Sequence, residues 1–278
     1  MPDLATPEPI SASLEFEVAS VRIIASKRTD TVVEVLPSNG AEDVDVKAAQ
    51  QTQVDCSGGR LVVKGPKKRS PFGKHGSIDV TIALPAGSDI QGASQLGDLI
   101  CEGVLGATRL GTGLGDIRVE QAGAVNLKTE QGDIRLDSAA GDAQVLGAGR
   151  IEIREIAGGA TVKNANGETT IDEITGDLEA TASNGRITVG VAHAGVDARS
   201  ANGGIRVGEV ARGKVELRTT AGDVEVGIRQ GTAARLDVNT KIGSVHNSLE
   251  ASEGPESSDE TVEVTVRTGV GGVVIRRS

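Results

Sequence analysis

Aspartates that follow a glycine are the residues of this chain whose spacing could most readily bind a metal. Four of them begin short apolar strands: Asp98, Asp116, Asp133 and Asp223. A calcium-binding repeat needs an acidic residue on nearly every half-turn. The equivalent positions elsewhere hold residues that break such a ladder: Arg150, Glu168, Arg186 and Gly204. The pattern therefore favours aspartates that stabilise turns over a calcium site.

Other residue types that carry chemistry are sparse. The three histidines, His75, His193 and His246, have no neighbours at metal-ligand spacing. Cys56 and Cys101 are too few for a disulfide scaffold and are interpreted as small buried hydrophobes in a reducing compartment. Neither a nucleophile elbow nor a phosphate-binding loop is present. The sequence therefore predicts no catalytic residue, no metal ligand and no cofactor, and we interpret the chain as a non-enzyme.

One basic cluster could make a specific contact. Its members lie in segment 64–75, with Phe72 among them: Lys64, Lys67, Lys68, Arg69, Lys74 and His75. We interpret this segment as a solvated hairpin loop between two strands. The alternative is a weak contact with an anionic membrane surface.

Composition limits the remaining functions. The chain has 278 residues, a net charge of −10 and 1% aromatic residues. An acidic chain is poorly suited to nucleic acid, which needs clustered Lys and Arg. No apolar run is long enough to span a membrane, and the start lacks a secretory signal, so we expect a cytoplasmic protein without integral membrane contact. The lack of aromatics predicts a thin core of Val, Ile, Leu and Ala.

Internal repeats predict the elements that must position these residues. Glycines recur every 17 to 19 residues before short apolar strands: Gly97, Gly115, Gly132, Gly149, Gly167, Gly185, Gly203 and Gly222. A second strand precedes each glycine, and both strands alternate apolar and polar residues. Such units cannot bury their apolar side alone but can do so when stacked. The sequence therefore predicts an all-β parallel β-helix, or β-solenoid, of 17–18-residue coils; a right-handed coil is favoured, with the hand left open.

The alternation also predicts which side chains face the lumen. Ile134 and Leu136 are typical inward residues, whereas Arg135 between them must face water. A third inward position forms a polar ladder expected to bond corner backbone groups: Thr112, Thr129, Asn164, Ala182, Ser200, Thr219 and Thr240. Asparagines before three glycines are expected to share their left-handed backbone: Asn166, Asn184 and Asn202.

The ends of the chain differ from its middle. We predict a flexible N-terminus over 1–9, capping or irregular β coils over 10–88 and regular repeats over 89–249. An acidic mobile loop is expected over 250–260, followed by C-terminal capping strands over 261–278. Caps are needed because the edge strands of a solenoid are templates for further pairing.

Two features of the chain resemble the bacterial "putative adhesin" family of β-strand-repeat domains of unknown function. They are the iterated Gly-Asp-Ile-Arg-Val/Leu coils and the preceding segment 77–87, which ends Leu84-Pro85-Ala86-Gly87. The likeness covers about residues 10–276. It implies a β-repeat fold and supplies no catalytic residues to carry over.

The function predicted from these features is a non-enzymatic scaffold or protein-interaction module with an unknown protein partner. The alternative is a polymerising structural protein resembling bactofilins, whose solenoids join end to end. A β-helical carbohydrate-active enzyme is less favoured, because a sugar-stacking groove needs Trp or Tyr. The expected caps favour a monomer or a small homo-oligomer.

Overall fold

The computed structural model describes residues 3–66, 76–249 and 260–278. The chain divides into two compact units, Met1–Ala140 (unit 1) and Gly141–Ser278 (unit 2). Almost every described element is a β-strand, and one short helix is present in the described part of the chain. The prediction of an all-β parallel solenoid is confirmed. The described helix is neither long nor apolar enough to cross a membrane.

The described residues of unit 1 form strands and one helix. In chain order they are β1 (Asp3–Ala5), β2 (Ser11–Ser26), β3 (Asp30–Pro37), α1 (Asp43–Gln51), β4 (Gln53–Ser57), β5 (Arg60–Lys64), β6 (Ile78–Pro85), β7 (Asp89–Leu96), β8 (Leu99–Val104), β9 (Thr108–Leu114), β10 (Ile117–Ala122), β11 (Val125–Gln131) and β12 (Ile134–Ala139).

Two sheets face each other in unit 1. Sheet A has the order β1-β3-β6-β2-β8-β10-β12, and sheet B has the order β4-β5-β2-β7-β9-β11. The long strand β2 belongs to both sheets, because its first half pairs with β7 and its second half with β8. It therefore forms a complete coil by itself, although the sequence predicts irregular structure there. Successive coils pair in parallel, as in the register Ile117 to Ile134.

The first coils of unit 1 are covered by a cap that is not parallel. Strand β3 pairs antiparallel with β6, and β4 pairs antiparallel with β5. Helix α1 lies against β3 and β6. Its Asp45 is buried and accepts hydrogen bonds from the backbone N–H groups of Ser77 (2.8 Å) and Asn39 (3.1 Å). This carboxylate joins the helix to the strands, and the helix is an element that the sequence patterns do not predict.

Unit 2 contains strands only among its described residues. They are β13 (Ala143–Gly147), β14 (Ile151–Ile156), β15 (Ala160–Asn166), β16 (Thr169–Ile174), β17 (Leu178–Asn184), β18 (Ile187–Ala192), β19 (Val196–Asn202), β20 (Ile205–Val210), β21 (Gly213–Ala221), β22 (Val224–Ile228), β23 (Thr232–Ile242), β24 (Val245–Asn247), β25 (Glu260–Val270) and β26 (Val273–Arg277).

The order of coils in unit 2 departs from the order of the sequence. Sheet C runs β14-β16-β18-β20-β22-β26-β24, and sheet D runs β13-β15-β17-β19-β21-β25-β23. The chain therefore skips one coil position, builds β23 and β24 outside it, and returns to fill the gap with β25 and β26. In the structure residues 232–247 form the outermost coil, whereas the sequence predicts that residues 261–278 form the C-terminal cap.

The core of both units is the predicted thin apolar lumen. Ile134 and Leu136 are fully buried, and Arg135 is exposed. The polar ladder behaves as expected: Thr219 Oγ1 donates to the carbonyl oxygen of Gly203 (2.9 Å), and Asn164 Nδ2 donates to that of Gly149 (2.9 Å). The exceptions to the inward set are Leu236 and Val238, which are only half-buried because their coil is the last one.

Candidate functional site

Segment 64–75 is predicted from the sequence to be a solvated hairpin loop, with a weak contact to an anionic surface as the alternative. Lys64 ends β5, and its Nζ lies 3.8 Å from a carboxylate oxygen of Glu15. Residues 67–75, which hold the other members of the basic cluster, lie outside the described residues. The interpretation of this segment as a hairpin or a membrane contact therefore stays a prediction. The acidic mobile loop expected over 250–260 also stays a prediction, because residues 250–259 lie outside the described residues.

The aspartates after glycine stabilise turns, as predicted. Asp98 Oδ1 accepts the backbone N–H of Asp116 in the next coil (2.8 Å), and Asp116 Oδ1 accepts that of Asp133 (2.9 Å). Asp223 Oδ1 accepts the N–H of Gly272 (2.7 Å). Each carboxylate thus joins one corner to the next corner along the stack.

The asparagines before glycine correct a prediction. Among the described residues, positive φ angles occur at glycine alone, so these asparagines do not share the left-handed backbone. They form a ladder instead: Asn184 Nδ2 donates to Asn166 Oδ1 (2.9 Å), and Asn202 Nδ2 donates to Asn184 Oδ1 (3.0 Å). The reason is that the following glycine supplies the unusual angle, which leaves the asparagine side chain free to bond its neighbour.

Histidine and cysteine do not converge on a site in the described parts of the chain. His193 Nε2 lies 2.8 Å from Glu173 Oε1 on the surface, and His246 lies on β24. Cys101 is buried and Cys56 half-buried, both as free thiols. No group of three or more potential metal ligands forms among the described residues.

A groove lies on the outer face of sheet D in unit 2. Its volume is about 570 Å³. Three arginines and one lysine lie along it, and the described lining contains no carboxylate: Arg199, Arg218, Arg267 and Lys241. The remaining lining residues are small or carry hydroxyl and amide groups, among them Ser183, Ala201, Thr220 and Gly269.

The parallel register explains why these arginines are aligned. Arg199 lies beside Arg218, and Arg218 lies beside Arg267, on the adjacent strands β19, β21 and β25. Adjacent strands are about 4.8 Å apart, so the three guanidinium groups form a row along the stack. We call this set the arginine row. Thr181 and Asn239 continue the row at its two ends.

A row of acids, the acidic row, runs beside the arginine row on sheet D: Glu179 on β17, Asp197 on β19, Glu216 on β21 and Asp237 on β23. Asp197 and Glu216 lie two residues before Arg199 and Arg218, and Thr265 of β25 lies between Glu216 and Asp237. Arg199 Nη2 bonds Asp197 Oδ2 (2.5 Å), and Arg218 Nη2 bonds Glu216 Oε2 (2.9 Å). Since these two contacts use one nitrogen of each guanidinium, the pairs orient the arginines towards the groove while leaving donor groups for a ligand.

Ion pairing favours the charged form of two members of the acidic row. The Lys214 ammonium lowers the pKa of Glu216, and the Arg267 guanidinium lowers the pKa of Asp237. In return, the Asp237 carboxylate raises the pKa of Arg267. Lys241 has no ion pair among the described residues and so presents its full charge at the outermost coil. The groove can therefore bind anionic groups through fixed, charge-assisted donors.

Sequence reasoning missed this groove because its residues come from separate repeats. A signal was nevertheless present, since each arginine directly precedes a member of the polar ladder or its equivalent: Arg199-Ser200, Arg218-Thr219 and Arg267-Thr268. Aligning the repeats on that ladder would have placed the three arginines side by side.

Comparison with known proteins places this architecture in a family. The family model of the Toastrack DUF4097 domain matches residues 11–216. The chain belongs to the Toastrack DUF4097 family. This confirms the resemblance to an adhesin-like domain of unknown function. No curated protein matches this Toastrack chain.

Solved structures similar to the Toastrack chain are described as adhesins. One from Bacteroides fragilis, a "putative adhesin", is 15% identical over 99% of this chain and 95% of that chain, with a TM-score of 0.39. Another from Parabacteroides merdae, also a "putative adhesin", is 10% identical over 100% and 95%, with a TM-score of 0.40. A "putative cell adhesion protein" from Clostridium sporogenes is 13% identical over 100% and 99%, with a TM-score of 0.27. Likenesses at this level carry no argument about what this chain binds.

Proposed function

We propose that this Toastrack domain is a non-enzymatic interaction module that binds an extended acidic segment of a protein partner in the groove of sheet D. The observation that carries the proposal is the arginine row, in which Arg199, Arg218 and Arg267 lie side by side on adjacent strands. Guanidinium groups bind carboxylates through paired hydrogen bonds, so a row of them suits a ligand with carboxylates in series.

The shape of the groove favours an extended ligand. Beside the arginine row the floor is made of small residues, among them Ala201 and Gly269. The floor is thus low enough for a backbone to approach it. Side chains on one face of an extended peptide recur about every 6.8 Å. Long arginine side chains can adjust from their strand spacing of about 4.8 Å to that interval.

The acidic row restricts which anions fit. It runs next to the arginine row, so a broad polyanion such as a nucleic-acid duplex would meet Asp197 and Glu216 as well as the arginines. The net charge of −10 adds to that repulsion at low ionic strength. A single acidic strand can lie on the side of the groove that faces away from the acidic row.

A binding measurement with labelled poly-L-glutamate tests the proposal. Fluorescence anisotropy at low salt should show saturable binding that weakens as salt is added, because exposed charges are screened. The variant Arg199→Gln/Arg218→Gln removes two charge-assisted contacts of about 1 kcal/mol each and should weaken binding on the order of tenfold or more.

A matched variant provides the control. Arg154→Gln/Arg206→Gln removes the same charge from exposed positions on sheet C and should leave the affinity within about twofold. Equal losses in the two double variants would show that the probe responds to net charge alone. That result, or a wild-type protein that does not bind at low salt, would overturn the proposal.

The alternative functions receive less support. A bactofilin-like polymer needs open edges that can join head to tail, but the N-terminal strands of unit 1 are covered by antiparallel pairs and by α1. A glycosidase needs a carboxylic acid whose pKa is raised so that it can donate a proton. In the acidic row the opposite holds for Glu216 and Asp237, whose pKa values are lowered by their basic partners.

We also propose the cytoplasm as the compartment of this protein. Both cysteines are free thiols, which suits a reducing environment. Fractionation of cells that produce the full natural protein, followed by immunoblotting, tests this assignment; recovery outside the cytoplasm would overturn it.

A further inference from the structure

The outermost coil of unit 2 has an open edge. Strand β23 pairs with β25 on one side, and among the described residues no strand pairs with its other side. The same holds for β24, which pairs with β26. At this end Leu236 and Val238 are half-buried, whereas Ile242 is 67% exposed and Val245 is 48% exposed. An edge strand with an apolar inner side is a template for pairing with another strand.

The strands at the start of unit 1 are poor partners for this edge. The outer strand of sheet A there, β1, has three residues, and the outer strand of sheet B, β4, has five. Both are antiparallel to their neighbours, whereas β23 has eleven residues and belongs to a parallel stack. The strand that matches β23 in length is therefore β23 of a second copy.

Charge complementarity selects a register for that pairing. Two copies of one strand that meet about a two-fold axis run antiparallel. With the axis at Leu236, residues 232–240 pair with the same residues of the second copy, and inward residues stay opposite inward residues. Arg235 then faces Asp237 of the second copy, twice, and Leu236 faces Leu236. Directly opposed residues of opposite charge stabilise an antiparallel pair.

Both charged residues are available for this contact. Arg235 has no ion pair among the described residues. Asp237 already accepts Arg267 Nη2 at its Oδ2 atom, which leaves Oδ1 for the Arg235 of a second copy. The in-chain contact therefore orients the carboxylate without occupying both of its oxygens.

Neighbouring registers fit less well. An axis at Asp237 places two Asp237 carboxylates opposite each other, and an axis at Val238 places Arg235 opposite Lys241. An axis at Asn239 does bring Asp237 opposite Lys241, but it pairs only residues 236–242. The register at Leu236 joins opposite charges over the longer segment, and Lys241 lies outside it.

From the open edge and this complementarity we infer that two copies of the chain associate through their β23 edges, antiparallel and about a two-fold axis at Leu236. The contact is self-complementary and closes, so it yields a discrete dimer instead of a filament. The contact uses the free edge of β23, whereas the arginine row lies on β19, β21 and β25; Asn239 of β23 lines the end of the groove.

Sedimentation equilibrium of the full chain tests the inference. The wild type should reach twice the 28.3 kDa of the chain and should dissociate on dilution. Arg235→Asp places like charges opposite each other and should weaken the dimer at least tenfold. Lys241→Glu, on the same strand but outside the paired segment, should leave it unchanged. Thermal unfolding followed by circular dichroism verifies that each variant is folded.

A mixture of variants makes the test specific. Arg235→Asp and Asp237→Arg should each be monomeric alone, but an equimolar mixture should form a heterodimer. In that heterodimer the introduced carboxylate at position 235 of one copy faces the introduced guanidinium at position 237 of the other, and the second pair keeps its native Asp237 and Arg235. A monomeric wild type overturns the inference. So does a dimer that Arg235→Asp leaves intact, a dimer that Lys241→Glu disrupts, or a mixture of folded variants that stays monomeric.

Discussion

Substitution of Gly203 by alanine tests how closely the corners of adjacent coils must pack. At these corners the backbone of one coil lies directly against the backbone of the next. Gly203 has a φ of +149°, and a Cβ atom built there would lie 2.1 Å from the carbonyl oxygen of Gly185 in the adjacent coil. Gly203 N–H also donates to the carbonyl oxygen of Ala221 on its other side (2.8 Å). Alanine must therefore separate two coils or twist the corner.

The magnitude follows from two contributions. An unfavourable φ for a residue with a Cβ atom costs about 1–3 kcal/mol. Separation of the coils by roughly 1 Å then weakens the hydrogen bond to Ala221 and its neighbours, at about 0.5–1.5 kcal/mol for each bond. The expected loss is about 3–6 kcal/mol of the unfolding free energy. That is a large share of the roughly 5–15 kcal/mol typical of a folded domain.

Gly231 provides the matched control within unit 2. Its φ is +79°, but nothing lies within 4 Å of a Cβ atom built there. Gly231→Ala therefore carries the backbone strain without the collision and should cost only about 1–2 kcal/mol. The difference between the two variants isolates the close approach of neighbouring coils.

Urea unfolding followed by far-UV circular dichroism is the suitable assay, because the chain has no Trp or Tyr to report by fluorescence. Solenoids can unfold in segments. Amide hydrogen exchange should therefore accompany the titration and localise the loss of protection in Gly203→Ala to strands β17–β22. Equal losses in the two variants, or unchanged exchange around Gly203, would refute the role assigned to the corner.

Two further outcomes are expected from the lumen. Ile134→Asp should lower the unfolding free energy in a urea titration by at least about 3 kcal/mol, because an unpaired charge would enter the lumen. Arg135→Asp should change the unfolding free energy by about 0.5 kcal/mol or less, because this side chain faces water. Equal effects of the two substitutions would show that the assignment of inward and outward residues is wrong. Burial raises the pKa of Cys101 to about 12, so in the native protein at pH 8 a thiol reagent should label Cys56 first and reach Cys101 only on unfolding, as followed by mass spectrometry. Native labelling of Cys101 at the rate of Cys56 would contradict its placement in the lumen.

The repeat architecture could be predicted from the sequence because each coil meets the same environment. Period-2 alternation places Ile134 and Leu136 inside and Arg135 outside, and the identical register in neighbouring coils reinforces that choice. The polar ladder follows from the same phase, since its members occupy the third inward position. Local patterns and the long-range structure therefore coincide in the coils.

Helix α1 shows why the cap could not be predicted in the same way. Val44 and Val46 alternate with acids, which is typical of a strand, and the helix has only nine residues. Its position depends on Asp45, which accepts N–H groups from Asn39 and Ser77. The second of these contacts crosses a long stretch of chain, so no local window of sequence contains it.

The groove could not be predicted from the sequence for a related reason. Arg199, Arg218 and Arg267 are isolated charges in the linear sequence and become a row only after the coils are stacked. Arg267 also joins the row through the return of β25 into the stack. A search of the sequence in consecutive order would place it in the last coil, away from Arg218.

The return of β25 has a physical cause that a single repeat cannot reveal. Both β23 and β25 fit the repeat pattern, and either could follow β21. The inward residues of β25 include Val262, Val264 and Val266, all fully buried, whereas Leu236 and Val238 of β23 remain half-buried at the end. Since buried apolar surface stabilises by about 25 cal/mol per Å², a stack gains more when the coil with three valines lies inside. The more polar coil with Arg235 and Asp237 on its outer side then takes the end, where those charges can select a partner.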